Sequence, residues 1–392
     1  MRILYIPSAH SISGSAGNGS PEFDPRHGAH RRPGLDLLRA LAILLVVVYH
    51  AGLFGFVLPY RVQRFGWIGV DLFFVLSGYL IGGQLLKAAA RGEAVDIRGF
   101  YWRRALRILP AYLVIVFVYW LLPEPVREFE RMPALWKFLT FTQNLGLRGG
   151  TAFSHAWSLC IEFQFYLLLP LFLLFLTAGV RRTAVALWLP IGILLWCIVV
   201  RGVVAHIIMA NYGQAFGPWQ QWVYYPTYAR LDGLTIGVSL AAIEIYRPQW
   251  WSNLTRHSTW IWFPAVAALV VALIWAEDGL SIVSSGLGFS LVAAACGTFL
   301  ICALSPSLPF TRVAVPGAKF LATVAYSVYL THKLPIHWVD SVAAALSFPR
   351  AAGYLLAMAS VLLLGSLLFF LVERPFLRLR ERQVLSKNRS NH

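Results

Sequence analysis

Residues 35–57 read LDLLRALAILLVVVYHAGLFGFV. About 20 such residues, at about 1.5 Å of rise each, cross the hydrocarbon layer of a bilayer as a helix. Asp36, Arg39 and His50 alone interrupt the run. Nine further apolar runs of similar kind follow, near 66–86, 107–122, 155–178, 183–208, 222–245, 258–276, 280–304, 319–341 and 352–372. The third is short, and the sixth and ninth are broken by polar residues. The pattern predicts an all-α polytopic membrane protein with about ten transmembrane helices around a polar chamber. The stretch 133–148, PALWKFLTFTQNLGLR, is too short and too polar to span, and is expected at the interface or as a re-entrant segment.

Composition agrees. Hydrophobic residues make up 58% of the 392 and charged residues 13%, against about 25% charged in soluble domains. The net charge is +16, from 33 Lys and Arg against 17 Asp and Glu. A basic excess of this size can mark a nucleic-acid binder, but its distribution says otherwise. With the N-terminus inside, 22 of the basic residues fall on inside segments, 7 on outside segments and 4 within spans. That asymmetry predicts cytoplasmic termini and an even number of spans, and nucleic acid is not expected as a partner. Cys160, Cys197, Cys296 and Cys302 all sit in apolar runs at no metal-ligand spacing, so neither a disulfide framework nor a metal site is expected.

The organisation is simple. Residues 1–33 open with a short apolar run and turn Ser/Gly-rich. They read as a flexible cytoplasmic tail, with a cleaved signal peptide as the alternative. Residues 34–376 form the transmembrane domain and 377–392 a basic cytoplasmic tail. The longest loop, about 123–154, is too short to fold alone.

Ionisable groups at membrane depth are costly and mark wet or functional interiors. The first span carries Arg39 and His50, the second Asp71, and the fourth Glu162 with His155 near its outer end. The sixth carries Arg230 and Asp232, and the ninth His332 and Lys333. One charge alone reads as a helix-pinning ion pair; the set over five spans reads as an embedded polar chamber. Arg39 and His50 are eleven residues apart, just over three turns, so they share one helix face about 16 Å apart along the axis. That can set an anion-binding group and a proton-transfer group along one channel. Arg104 and Arg107 neighbour each other on a helix, with Arg103 beside them. Guanidinium forks suit phosphate oxygens, although the same cluster also reads as a membrane-surface anchor.

Seven segments resemble, in order, the integral membrane acyltransferase family 3, whose members O-acetylate O-antigen, peptidoglycan and exopolysaccharide sugars. They are RPGLDLLRALAILLVVVYHAG with its Arg39-x10-His50, GVDLFFVLSGYLI at 69–81, and FYWRRALRILPAYL with Arg104 and Arg107. HAWSLCIEFQFYLLLPL at 155–171, YARLDGLTIGVSLA at 228–241, YSVYLTHKLPI at 326–336 and VERPF at 372–376 complete the set. The resemblance implies transfer of an acyl group, acetyl above all, from cytoplasmic acetyl-CoA or another acyl-CoA. The acceptor would be a sugar or glycolipid hydroxyl at the outer side, and the location the bilayer of a bacterial cytoplasmic (inner) membrane. Some members carry a fused extracytoplasmic SGNH-type esterase domain. The sequence ends shortly after VERPF, so the chain is expected to complete the transfer itself or to hand the acyl group to a partner.

Under that resemblance His50 is the general base or acyl relay. Arg39 holds the donor or a carboxylate that positions the histidine, and Glu162 orients His50 or neutralises an arginine. Arg104, Arg107 and Arg103 take the CoA phosphates. Asp71, Ser77, Tyr79, Arg230, Asp232, Tyr329 and His332 are expected as substrate-lining or supporting residues. Arg230 and Asp232, two apart, must face different partners. A proton-coupled transporter or exporter of a glycan or lipid-linked sugar is the alternative, since buried His, Glu, Asp and Arg serve that equally well.

Overall fold

The computed structural model describes residues 32–56, 63–93, 95–127, 131–178, 182–277, 280–308, 311 and 313–390. The N-terminal tail expected at 1–33 lies almost wholly outside them. Regular structure among the described residues is helical, with one isolated bridge between Arg131 and Thr151.

In chain order the helices of nine or more residues are α1 (Pro33–Leu53), α2 (Ile68–Ala90), α3 (Ile97–Leu121), α4 (Trp157–Ala178) and α5 (Arg182–Tyr212). Next come α6 (Asp232–Tyr246), α7 (Pro248–Arg256), α8 (Ser258–Glu277) and α9 (Phe289–Leu304). The last are α10 (Ala318–Thr331), α11 (Lys333–Ala345), α12 (Arg350–Leu368) and α13 (Arg374–Ser390). Pro33 opens α1, where its missing N–H costs nothing and its fixed φ suits the first turn. Asp96 caps α3, its carboxylate accepting the Gly99 N–H at 2.9 Å. That cap starts the third helix ten residues before the apolar run, and so places Arg103, Arg104 and Arg107 on the helix itself.

Eight described helical stretches are long and apolar enough to cross a membrane. The other two expected spans are broken helices. The sixth is a π turn (Gln220–Tyr224), then Pro226, a 3-10 turn (Thr227–Ala229) and α6. The ninth breaks at His332, between α10 and α11. Irregular backbone at membrane depth is tolerated only under protein cover or beside a wet cavity. Both breaks carry the charges noted in the sequence, and Arg230, Asp232, His332 and Lys333 are all buried. The stretch 133–148 is likewise protein-covered. Its helix Leu135–Leu139 leads to buried Gln143 and Asn144, and the Asn144 amide donates to Thr227 Oγ1 at 2.8 Å.

The helices divide into an inner and an outer set. Of the most apolar 18-residue stretch of α2, 78% is buried; of that of α8, only 17%. Trp260, Phe263, Leu195, Val199, Leu355 and Leu363 on α8, α5 and α12 are exposed, as a lipid-facing ring requires. Hydrophobicity does not drive helices together in lipid, so close packing of small residues must contribute. α2 and α6 show how. A Cβ at Gly78 would run into the Leu234 carbonyl, and one at Gly237 into the Val75 carbonyl.

The tail expected from 377 is helical to Ser390. The backbone passes from α12 through a π turn (Phe369–Glu373) straight into α13, and Trp102 Nε1 on α3 donates to Gln383 Oε1 at 2.6 Å.

Candidate active site

Three histidines meet near the C-terminal end of α1. His50 lies on the last turn of α1, His155 in the 3-10 turn Ser154–Ala156 that leads into α4, and His332 at the break between α10 and α11. Ring centroids are 4.6 Å apart for His50 and His332, 4.8 Å for His155 and His332, and 6.2 Å for His50 and His155.

Each ring is held by a backbone carbonyl. His50 Nδ1 is 2.9 Å from Val46 O, His332 Nδ1 is 2.8 Å from Tyr329 O, and His155 Nε2 is 3.3 Å from Leu330 O. A carbonyl only accepts, so the bonded nitrogen carries the proton and the other keeps its lone pair. His155 Nδ1 and His332 Nε2 are buried with no hydrogen-bond partner. Orphaned buried acceptors are expensive, and they cluster where a mobile proton or a substrate belongs. Among the described residues no three His, Cys, Asp or Glu side chains converge in metal-holding geometry.

The next layer fixes the cluster. The Tyr329 hydroxyl donates to His155 O at 2.5 Å. Its single hydrogen is thus spent, so Ser158 Oγ must be the donor in the 2.6 Å Ser158–Tyr329 contact. Lys333 is also buried beside the histidines.

Glu162 lies two helical turns beyond His155, about 10 Å along α4. That register carries it away from His50 and into a different set of partners. Its carboxylate accepts from Ser77 Oγ at 3.0 Å and from the Tyr166 hydroxyl at 2.9 Å. Arg104 and Arg107 on α3 contribute positive charge to its surroundings.

The arginines form the opposite end. Arg107 pairs with Glu373, which also accepts from Ser327 Oγ at 2.6 Å. Arg104 Nη2 donates to Gln84 Oε1 at 3.2 Å, while its Nε is buried without a partner. Arg103 turns back to Asp96 at 3.6 Å. Arg39 is 3.9 Å from Asp36 and, with Arg104 and Arg380, adds positive charge around Arg107. Ser158 and Glu162 are one turn apart on α4, so the Ser158–Tyr329 pair by the histidines and the Glu162–Ser77–Tyr166 set toward the arginines form a polar column along one helix face.

The remaining expected residues lie beside the column. Arg230 and Asp232 have separate partners. Arg230 Nη2 bridges both oxygens of Asp71 at 2.8 and 3.0 Å, while Arg201 Nη1 reaches Asp232 at 2.7 Å. Arg201 also takes the carbonyls of Ser285 and Gly286, which the π turn Ser284–Gly288 leaves free. The Tyr79 hydroxyl donates to Glu244 at 2.5 Å, and Arg32 shares that carboxylate. Sequence reading placed His155 only near a span end, and it gave no role to Ser158, Tyr166 or Gln84. Only the fold brings these onto the column.

Comparison with known proteins follows the same line. A family model described as an acyltransferase domain matches residues 32–371. A peptidoglycan O-acetyltransferase of Listeria monocytogenes is 28% identical over 369 residues, covering 88% of this chain and 55% of that protein. An O-acetyltransferase of Staphylococcus aureus is 29% identical over 328 residues, covering 79% and 51%. The chain therefore spans about half the length of the curated relatives it matches. No solved structure matches it.

Proposed function

Because the chain belongs to the integral membrane acyltransferase family 3, we propose that it moves an acyl group, acetyl above all, from acyl-CoA to a glycan hydroxyl across a bacterial cytoplasmic membrane. The observation that carries this reading is the polar column, with phosphate-suited guanidinium groups at one end and lone-pair histidines at the other. The peptidoglycan O-acetyltransferase among the relatives points to a cell-wall glycan as acceptor.

Arg104 and Arg107, with Arg39 and Arg103 near them, would hold the CoA phosphates at the cytoplasmic face. The donor's flexible arm would run along the column toward His50. His50 Nε2 then takes the proton of the acceptor hydroxyl while the oxygen attacks the thioester carbonyl carbon. The tetrahedral intermediate collapses, the C–S bond breaks, and the leaving sulfur takes the proton from the imidazolium. The products are the O-acyl ester and free CoA thiol. Glu162 balances the arginine charge, and Ser158 and Tyr329 hold the histidines in place.

Membranes containing the protein are expected to release CoA from acetyl-CoA when an unacetylated glycan is supplied, and the His50→Ala protein to release none. A folded wild-type protein that consumes no acyl-CoA would overturn the proposal in favour of proton-coupled transport.

A further inference from the structure

A cleft of about 370 Å³ opens on the Tyr49–Leu53 face of α1, within the roughly 300–1,000 Å³ range of small-ligand sites. Tyr49 and Leu53 of α1 form one wall. Tyr49 directly precedes His50, and the two rings are 5.2 Å apart. Trp67, Trp219, Tyr224 and Phe289 form an aromatic box on the other side. Trp67 meets Phe289 edge-on at 5.5 Å, and Trp219 stacks on Phe289 at 6.0 Å. Gln63, Arg64 and Gln220 supply the polar lining.

The box is braced from behind. The Arg230 guanidinium lies 4.0 Å from the Phe289 centroid and 5.0 Å from that of Tyr224. It is fully buried, and its Nε and Nη1 have no hydrogen-bond partner. Trp219 Nε1 is held by Ser285 Oγ at 2.8 Å. The aromatic faces are therefore fixed before any ligand arrives.

We infer that this cleft is the acceptor subsite and binds one pyranose unit of the glycan. A pyranose has an apolar C–H face and a rim of hydroxyls. The aromatic box matches the face, and the two amides and the guanidinium match the rim. A lipid tail would need the box but not three polar side chains, and a CoA phosphate would need several cations, of which the described lining residues supply Arg64. Tyr49 lines the cleft and packs edge-on against His50, which sets the cleft next to the base. This inference rests on the acyl-transfer reading above, and its test is chosen to fail separately.

The test is binding without donor. An N-acetylglucosamine tetrasaccharide is titrated into the detergent-solubilised full chain and followed by tryptophan fluorescence and calorimetry. Saturable binding is expected, weakened at least tenfold in Trp219→Ala and in Gln63→Ala. The Gln63→Ala protein, which removes only an amide, keeps the question open if Trp219→Ala does not fold. In turnover assays the same variants should raise the acceptor KM and leave the acetyl-CoA KM unchanged. Equal binding by wild type and both variants, no binding at all, or displacement of the sugar by a long-chain lipid overturns the inference. Saturable, variant-sensitive sugar binding by a protein that consumes no acetyl-CoA would leave the subsite standing and remove the acyl-transfer reading.

Discussion

The imidazoles of His50 and His332 stand edge to face with centroids 4.6 Å apart, and each gives its Nδ1–H to a carbonyl of its own chain segment. Both therefore present Nε2 as the basic nitrogen. Two bases in contact do not act independently, because protonating one disfavours protonating the other. The pair is therefore expected to hold at most one added proton, the one His50 takes from the acceptor hydroxyl, with His155 4.8 Å from His332.

The first prediction concerns that pair. His50→Ala should abolish CoA release, because the attacking hydroxyl loses its base. His332→Ala should lower kcat by about 10²–10⁴, the usual range for general acid–base groups, and leave the acetyl-CoA KM nearly unchanged. The check is CoA release by membranes under saturating donor. Full activity in the His332→Ala protein would show that the second histidine only packs.

The second concerns the arginine end. Arg104 keeps a buried Nε without a partner, whereas Arg107 is already paired with Glu373. Arg104→Glu should therefore raise the acetyl-CoA KM with little change in kcat. Arg107→Glu should do the same and also destabilise the fold, since it sets two carboxylates together where Glu373 is 1% exposed. Steady-state kinetics with a parallel melting curve separates the two effects. A kcat loss at unchanged KM in Arg104→Glu would argue against donor binding there.

The helical class and the positions of most spans were legible because lipid demands long apolar runs, and such runs survive in a single sequence. The breaks at Pro226 and His332 were visible only as polar interruptions. Hydropathy averages over a kink, while the backbone must find new partners at it. The third helix began earlier than its apolar run because one cap, Asp96, outweighs average hydropathy at a helix start. Helix periodicity sets Arg39 and His50 on one face of α1. The meeting of His50, His155 and His332 was not legible, because it joins three elements far apart in sequence. The same holds for Glu162, whose partner Ser77 lies on another helix.

The third prediction tests the buried pair beside the column. Asp71 and Arg230 are 1% and 0% exposed. Asp71→Asn would leave Arg230 charged and under-compensated, and breaking such a pair costs about 3–5 kcal/mol. Replacing both partners with apolar residues of similar size should recover much of that loss. Melting temperatures of the two proteins in the same detergent provide the comparison. Equal stability of the single variant and wild type would mean that the aromatic cage alone satisfies Arg230.

The fourth tests how the inner helices are held together. Gly78 and Gly237 bring α2 and α6 into backbone contact, and no flexible side chain is there to yield. Gly237→Ala inserts a methyl group against the Val75 carbonyl and the Tyr79 amide. Overpacking of this kind costs about 1–3 kcal/mol even where neighbours can move, and here the neighbours are main chain. The displacement would pass along α2 to Ser77, and so to the Glu162 carboxylate it donates to. Gly237→Ala should therefore lower both the melting temperature and the turnover, whereas Gly192→Ala, with nothing within 4 Å of the added carbon, should change neither. Loss of function at both positions, or at neither, would disconnect activity from the α2–α6 contact.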